Sequence, residues 1–172
     1  MLGLIQSLIQ QRDGGKSSQQ GELAGELGSG YDPLLVESLC DEHQQILLCC
    51  QQLELVVAKG KDASIRKQLR RLDDQVRSHR MREDVALLLF MEHHLEEDTR
   101  LAQRLRQGRR EREQWRKQVM AFFDKYHGLR LVGPVVEDLR VDLATMGAAL
   151  VAMMEQEEEE LFPLYLQFKG FV

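Results

Sequence analysis

DASIRKQLRRLDDQVRSHRMREDVALLLF, residues 62–90, decides the fold. Ile65, Leu69, Leu72, Val76, Ala86 and Phe90 recur in steps of three and four, the spacing that lines one face of an α-helix. His79 and Glu83 occupy two places of the same stripe where the repeat demands Leu or Val. The stretch therefore reads as an amphipathic helix with a polar interruption on its buried face.

Working outward, three more helices emerge. Asp32-Pro33 is a helix start, with an acceptor at the cap and Pro at the first helical position. The first helix then carries Leu39, His43, Ile46, Cys50, Leu53 and Val57, and Gly60 ends it. The second begins near Asp62–Ser64, and neither Gly nor Pro follows until after Gln107. One helix of that length would span ~70 Å at 1.5 Å per residue, so a break is expected at residues 93–99, where Asp98-Thr99 offers a cap. The third helix has the stripe Trp115, Val119, Phe122 and Tyr126 and ends at Gly128. Gly133-Pro134 opens the fourth, with Leu139, Leu143, Met146, Leu150, Met153, Glu157, Leu161 and Leu164. The expected fold is all-α, an antiparallel four-helix bundle of up-down-up-down topology over residues 33–170.

Residues 1–32 differ. Leu2, Ile5, Leu8 and Ile9 suit a short amphipathic helix, and residues 12–31 hold six of the thirteen glycines among Ser, Gln and Glu, as a flexible linker does. The chain has 172 residues, 43% apolar and 30% charged, with a net charge of −5, which argues against nucleic-acid binding. Arg100 to Lys117 carries eight basic residues, but Glu111 and Glu113 interleave, so this stretch reads as a solvated face. No apolar run suits a membrane span, no signal-peptide pattern opens the chain, and three cysteines make no disulfide framework. A cytoplasmic protein is expected. Nucleophilic motifs and phosphate-binding glycine loops are missing, so no enzyme is expected.

The polar residues on the stripes carry the functional reading. A bare carboxylate in a bundle core costs several kcal/mol unless it is paired or metal-bound. By rise per residue, His43, His79, Glu83 and Glu157 all fall within ~15 Å of one end of the bundle. Imidazole nitrogen with carboxylate oxygen suits iron, manganese or zinc. The alternative is a buried His–Glu hydrogen-bond network with one imidazole protonated.

Asp41-Glu42-His43, His79-Arg-Met-Arg-Glu83-Asp84 and the closing Glu157-Glu158-Glu159-Glu160-Leu161-Phe162-Pro163 resemble the hemerythrin-like, His-His-Glu cation-binding family over residues 33–168. The resemblance implies non-haem iron, two ions held by five histidines and two carboxylates in the full family pattern. It implies His43, His79 and Glu83 as ligands, with Glu157 or Glu158 as the carboxylate of the fourth helix. This chain departs from the pattern: Met153 or Met154 stands for the fourth-helix histidine, and Gln114-Trp115 aligns where the third helix should supply histidines. The expectation is a degenerate site of one or two ions for sensing or storage, held on His43, His79, Glu83 and Glu157 or, alternatively, on a divergent set that recruits His94. Gln118 to Asp124 also resembles the regulator-of-sigma-D anti-sigma family, which implies a metal-free regulatory bundle acting through protein contacts. Leu47, Leu48, Leu55, Leu87, Leu88 and Leu89 lie off the stripes and suggest self-association or a protein partner. His93-His94 beside Glu96 and Glu97 reads as a solvated helix end, and Cys40 and Cys49 carry no mark of a thiolate.

Overall fold

The computed structural model describes residues 30–95 and 99–170. The amphipathic segment and most of the linker expected over residues 1–32 lie outside them. The elements are α1 (Leu35–Lys59), α2 (Asp62–Arg82), a π-helical turn (Glu83–Leu88), α3 (Leu89–His94), α4 (Arg100–Tyr126), α5 (Pro134–Gln156), a second π-turn (Glu157–Leu161), α6 (Phe162–Leu166) and a closing 3-10 turn (Gln167–Gly170). Each π-turn continues the helix on either side of it, so the chain forms four rods arranged as the expected four-helix bundle.

The turns follow from local chemistry. Gly60 takes a left-handed conformation at φ 68°, and its N–H bonds the carbonyl of Val57, closing α1. Thr99 caps α4 by accepting from the N–H of Ala102 at 3.1 Å, at the break the sequence predicts. Gly133 at φ 56° precedes Pro134, which opens α5. Asp32 accepts from the N–H of Leu34 at 2.9 Å, as a capping side chain should, though regular helix starts only at Leu35. Tyr165 ties that entry to the end of the chain: its hydroxyl accepts from the N–H of Asp32 at 2.8 Å, and its ring stacks on Tyr31.

The bundle holds two apolar clusters. The larger contains Ile46, Leu53, Leu72, Val76, Val119, Phe122, Leu150 and Met153; the smaller contains Leu35, Leu39, Leu87, Met91, Leu105, Leu161 and Tyr165. Full burial of each such side chain contributes about 1.5–3 kcal/mol, so these clusters hold the rods together. α1 passes from the smaller cluster at Leu39 to the larger at Ile46, and His43 lies between. The second rod returns from Val76 to Leu87 across His79 and Glu83. α4 climbs from Leu105 to Val119 across Arg112, and the fourth rod returns from Met153 to Leu161 across Glu157. Every rod contributes to one buried polar layer. The layer lies between two cores, whereas rise per residue alone places it at the bundle's end; α6 and the 3-10 turn continue past it and close the smaller core.

The first π-turn also moves the stripe. Continued from Glu83, the α-helical repeat reaches Ala86 and Phe90, but the fully buried residues are Leu87 and Met91, one position later. One extra residue in the turn produces that shift. Leu87 and Leu88 are consequently buried, and so is Leu47 on α1, while Leu48, Leu55 and Leu89 are exposed. Among the described residues no helix is long and apolar enough to cross a membrane.

Candidate metal centre

His43 and His79 face each other across α1 and α2, with their Nε2 atoms 3.1 Å apart. Glu157 Oε2 lies 3.1 Å from His43 Nε2 and 3.9 Å from His79 Nε2. All three side chains are buried, and the three donor atoms lie within 4.8 Å of one another. Neither oxygen of Glu157 has a well-aligned hydrogen bond. The carboxylate and imidazoles converge on a common point instead of bonding along one another's axes.

The outer faces of the rings explain the inner ones. His43 Nδ1 donates to Glu158 Oε1 at 2.7 Å, and His79 Nδ1 donates to Glu42 Oε2 at 2.8 Å. A proton held at Nδ1 leaves a lone pair on Nε2 and fixes the ring's orientation, the usual arrangement behind a metal-bound imidazole. Glu42 is in turn held by Arg82, whose Nη1 donates to Glu42 Oε1 at 2.5 Å and to Ser38 Oγ at 2.6 Å. Burial pushes the Glu42 carboxyl up, but its bonds to His79 and Arg82 outweigh this and leave it lowered. Of the two fourth-helix carboxylates, Glu157 thus points inward and Glu158 backs His43.

Two lone pairs 3.1 Å apart repel, so a positive charge must sit between them: a proton or a cation. Burial lowers the His79 imidazole, but the nearby Glu157 carboxylate, the bond to Glu42 and the charge of Glu83 overcome that and raise it to about 9. Burial likewise opposes ionisation of Glu157, yet His43 and His79 hold it down to about 2. Without an ion, one proton on the imidazole pair satisfies the group. With one, ligands about 2.0–2.2 Å from a single ion stand about 3–3.5 Å apart. The two separations at His43 Nε2 match this, and the 3.9 Å between Glu157 and His79 is slightly wider.

Glu83 is placed differently. It is buried in the same layer and feels the charges of Glu157 and His79, but its oxygens face Arg112 Nε at 3.9 Å and Arg116 Nη2 at 3.7 Å. Burial, with Glu157 close by, pushes its carboxyl up to about 7 against the pull of Arg112, His79 and Arg116. Arg112 is 3% exposed, a correction to the solvated face expected of its stretch. The signal was in the sequence: Leu105, Gly108, Arg112, Trp115 and Val119 continue the third-helix stripe in steps of three and four. Gln114, aligned with the missing histidines, is exposed, and Trp115 packs at the edge of the larger core. The third helix therefore presents a guanidinium, and no imidazole, to the buried layer.

The remaining histidines lie away from the layer. His94 donates from Nδ1 to the carbonyl of Phe90 at 2.8 Å and packs against the Phe90 and Phe168 rings, so it is not among the donors that converge with His43, His79 and Glu157. His93 is exposed at the end of α3, and His127 is the cap residue after α4. With Met153 buried in the larger core, the five histidines the full two-ion pattern needs are not assembled. Cys50, buried, has its thiol pushed up to about 12, so it is no thiolate ligand at neutral pH.

A family model described as the hemerythrin HHE cation binding domain matches residues 34–165. No curated protein and no solved structure matches the chain.

Proposed function

The chain belongs to the hemerythrin HHE cation-binding domain family, and we propose that it holds one non-haem iron ion on His43, His79 and Glu157, for sensing or storage rather than catalysis. One observation carries the reading: two imidazoles whose Nδ1 atoms are both tied to carboxylates turn both Nε2 lone pairs on the unbonded Glu157 carboxylate. Such a donor set suits a borderline metal such as iron, manganese or zinc, and iron is the family's metal. Bound iron would supply a redox-active, Lewis-acidic centre.

The chain's own residues supply the rest. Glu158 and Glu42 orient the rings, Arg82 steadies Glu42, and the two apolar clusters shut the layer off from water on both sides. The donors are so enclosed that an ion enters or leaves only with movement of the rods, which suits retention better than turnover. A surface cleft of about 450 Å³ lies elsewhere, lined by Leu69, Arg70, Phe123 and Tyr126 along the larger core. The three free thiols support a reducing, cytoplasmic setting.

The test is thermal unfolding of the untagged protein with ferrous iron under anaerobic conditions, with zinc, and with chelator. An ion that binds only the native state raises Tm as its concentration rises, and His79→Leu abolishes the shift. No shift in the parent protein would overturn the metal reading and leave a protonated network. A second reading, a regulatory bundle acting through contacts, draws on Leu48 and Leu55, exposed seven residues apart on α1. Light scattering at high concentration checks it: self-association lost in Leu48→Ser with Leu55→Ser supports that face, and a strictly monomeric parent counts against a dimer.

A further inference from the structure

Arg112 is an unusual residue to bury. The residue is 3% exposed, its Nε and Nη2 atoms are buried without a hydrogen-bond partner, and its nearest carboxylate, Glu83, is 3.9 Å away. The backbone makes room for it: a Cβ on Gly108, one turn earlier, would stand 3.1 Å from Arg112 Nη1. Glu83 Oε1 and both oxygens of Glu157 likewise lack aligned partners. The layer thus contains two buried carboxylates, two imidazoles with Nδ1 bonded outward, and one buried permanent cation.

An isolated buried carboxylate is costly, so each of the two needs a positive charge close by. On the imidazole side the ion supplies it to Glu157. On the opposite side Arg112, with the partly exposed Arg116 behind it, supplies it to Glu83. A guanidinium cannot give up its proton at physiological pH, so it is a fixed charge that no ion displaces by competition.

We propose that Arg112 is a resident cation that takes the place of a second metal ion and limits this centre to one, with Glu83 as its charge partner rather than a ligand. The proposal rests on the metal reading above. It makes Arg112 a positioning residue: it touches no ion, but it holds Glu83 away from one and sets the charge of the layer. A second divalent ion beside Arg112 would meet a like charge in a water-poor interior, where such repulsion is far stronger than in solvent.

The experiment is metal stoichiometry by elemental analysis, after saturation with zinc and, anaerobically, with ferrous iron, on folded protein verified by circular dichroism. The parent protein and Arg112→Lys, which keeps the charge, should each retain one ion per chain. Arg112→His, which removes the fixed charge at neutral pH and adds a donor beside Glu83, should retain two. Glu83→Gln provides a check that needs no new site. It should still hold one ion, with affinity reduced by no more than about 10- to 100-fold, as for a residue outside the ligand set. Glu157→Gln should hold none.

A parent protein that holds two ions overturns the proposal, as does folded Arg112→His that holds one. Loss of the ion in Glu83→Gln overturns it too, because Glu83 is then a ligand. If the parent protein holds no ion, the metal reading itself fails and the proposal falls with it. That failure is distinct from the others because it shows in the unmodified chain.

Discussion

Glu157 and Glu83 are the same side chain in the same layer, and each is the first residue of a π-turn. Around Glu157 stand two imidazoles, themselves backed by Glu42 and Glu158; around Glu83 stand two guanidiniums. The first environment pulls its carboxyl down to about 2, while the second leaves its carboxyl raised to about 7, because burial and the charge of Glu157 outweigh the arginines at nearly 4 Å. Imidazoles can exchange a proton for a metal ion and guanidiniums cannot, so on the proposed reading one half of the layer is loadable and the other is permanently filled.

The comparison breaks most visibly on the filled half. Glu83→Leu leaves Arg112 buried without its partner, and Arg112→Leu leaves Glu83 so; each should cost about 3–5 kcal/mol of stability by denaturant titration. The double replacement should recover most of that loss, since apolar groups of similar volume often match a buried ion pair. Additive single losses would show that the two residues are not a pair.

On the loadable half, Glu42→Gln and Glu158→Gln remove the acceptors behind the imidazoles. Each should weaken iron or zinc binding by about 10- to 100-fold in competition titrations while leaving one ion per chain. Unchanged affinity would mean that the outer carboxylates do not orient the rings.

pH separates the ion-bearing layer from its protonated form. In chelated protein, His79 is raised from 6.5 to about 9, so its contribution is full below pH 6.5 and lost as pH climbs through about 9. Glu83 is raised from 4.5 to about 7, so the folded state binds more protons in that window and stability falls across it. Glu157 is depressed from 4.5 to about 2, so its contribution is present above 4.5 and lost as pH falls through about 2. The layer should therefore favour the chelated fold most near pH 4.5 and less at each higher pH. Metal binding must displace the His79 proton, so ion affinity should rise with pH up to about 9. Melting curves with chelator and with zinc should diverge as pH increases; parallel curves would exclude displacement of a proton by the ion.

The smallest effect is at Gly108. Gly108→Ala should gain about 1 kcal/mol of helix propensity but crowd Arg112 Nη1, so the net change in the parent protein should be near zero. In an Arg112→Met background the crowding is relieved and the full gain should appear. Equal gains in both backgrounds would show that Gly108 makes no room for the guanidinium.

Much of this was legible in the chain. The steps of three and four along His43, His79, Glu83 and Glu157 place them on buried faces, and all four are buried. The same arithmetic reaches Arg112, but a charged residue among eight basic ones is ordinarily solvated, and only a count of its phase distinguishes it. Leu87 and Met91 could not be read this way, because the π-turn before them shifts the repeat by one residue without a Gly or Pro to mark it.

The sequence by itself determined the number of helices, their breaks at Gly60, Thr99 and Gly133-Pro134, and that His43, His79, Glu83 and Glu157 would face inward. Periodicity and capping are local properties, and helices of this length follow from them. Only the tertiary structure decided how the inward residues divide. Which carboxylate meets imidazole, which meets guanidinium and which stands behind a ring depends on the rotation of each rod against its neighbours. That rotation is set by the packing of both apolar cores and by the register of two π-turns, which no single stretch of sequence contains.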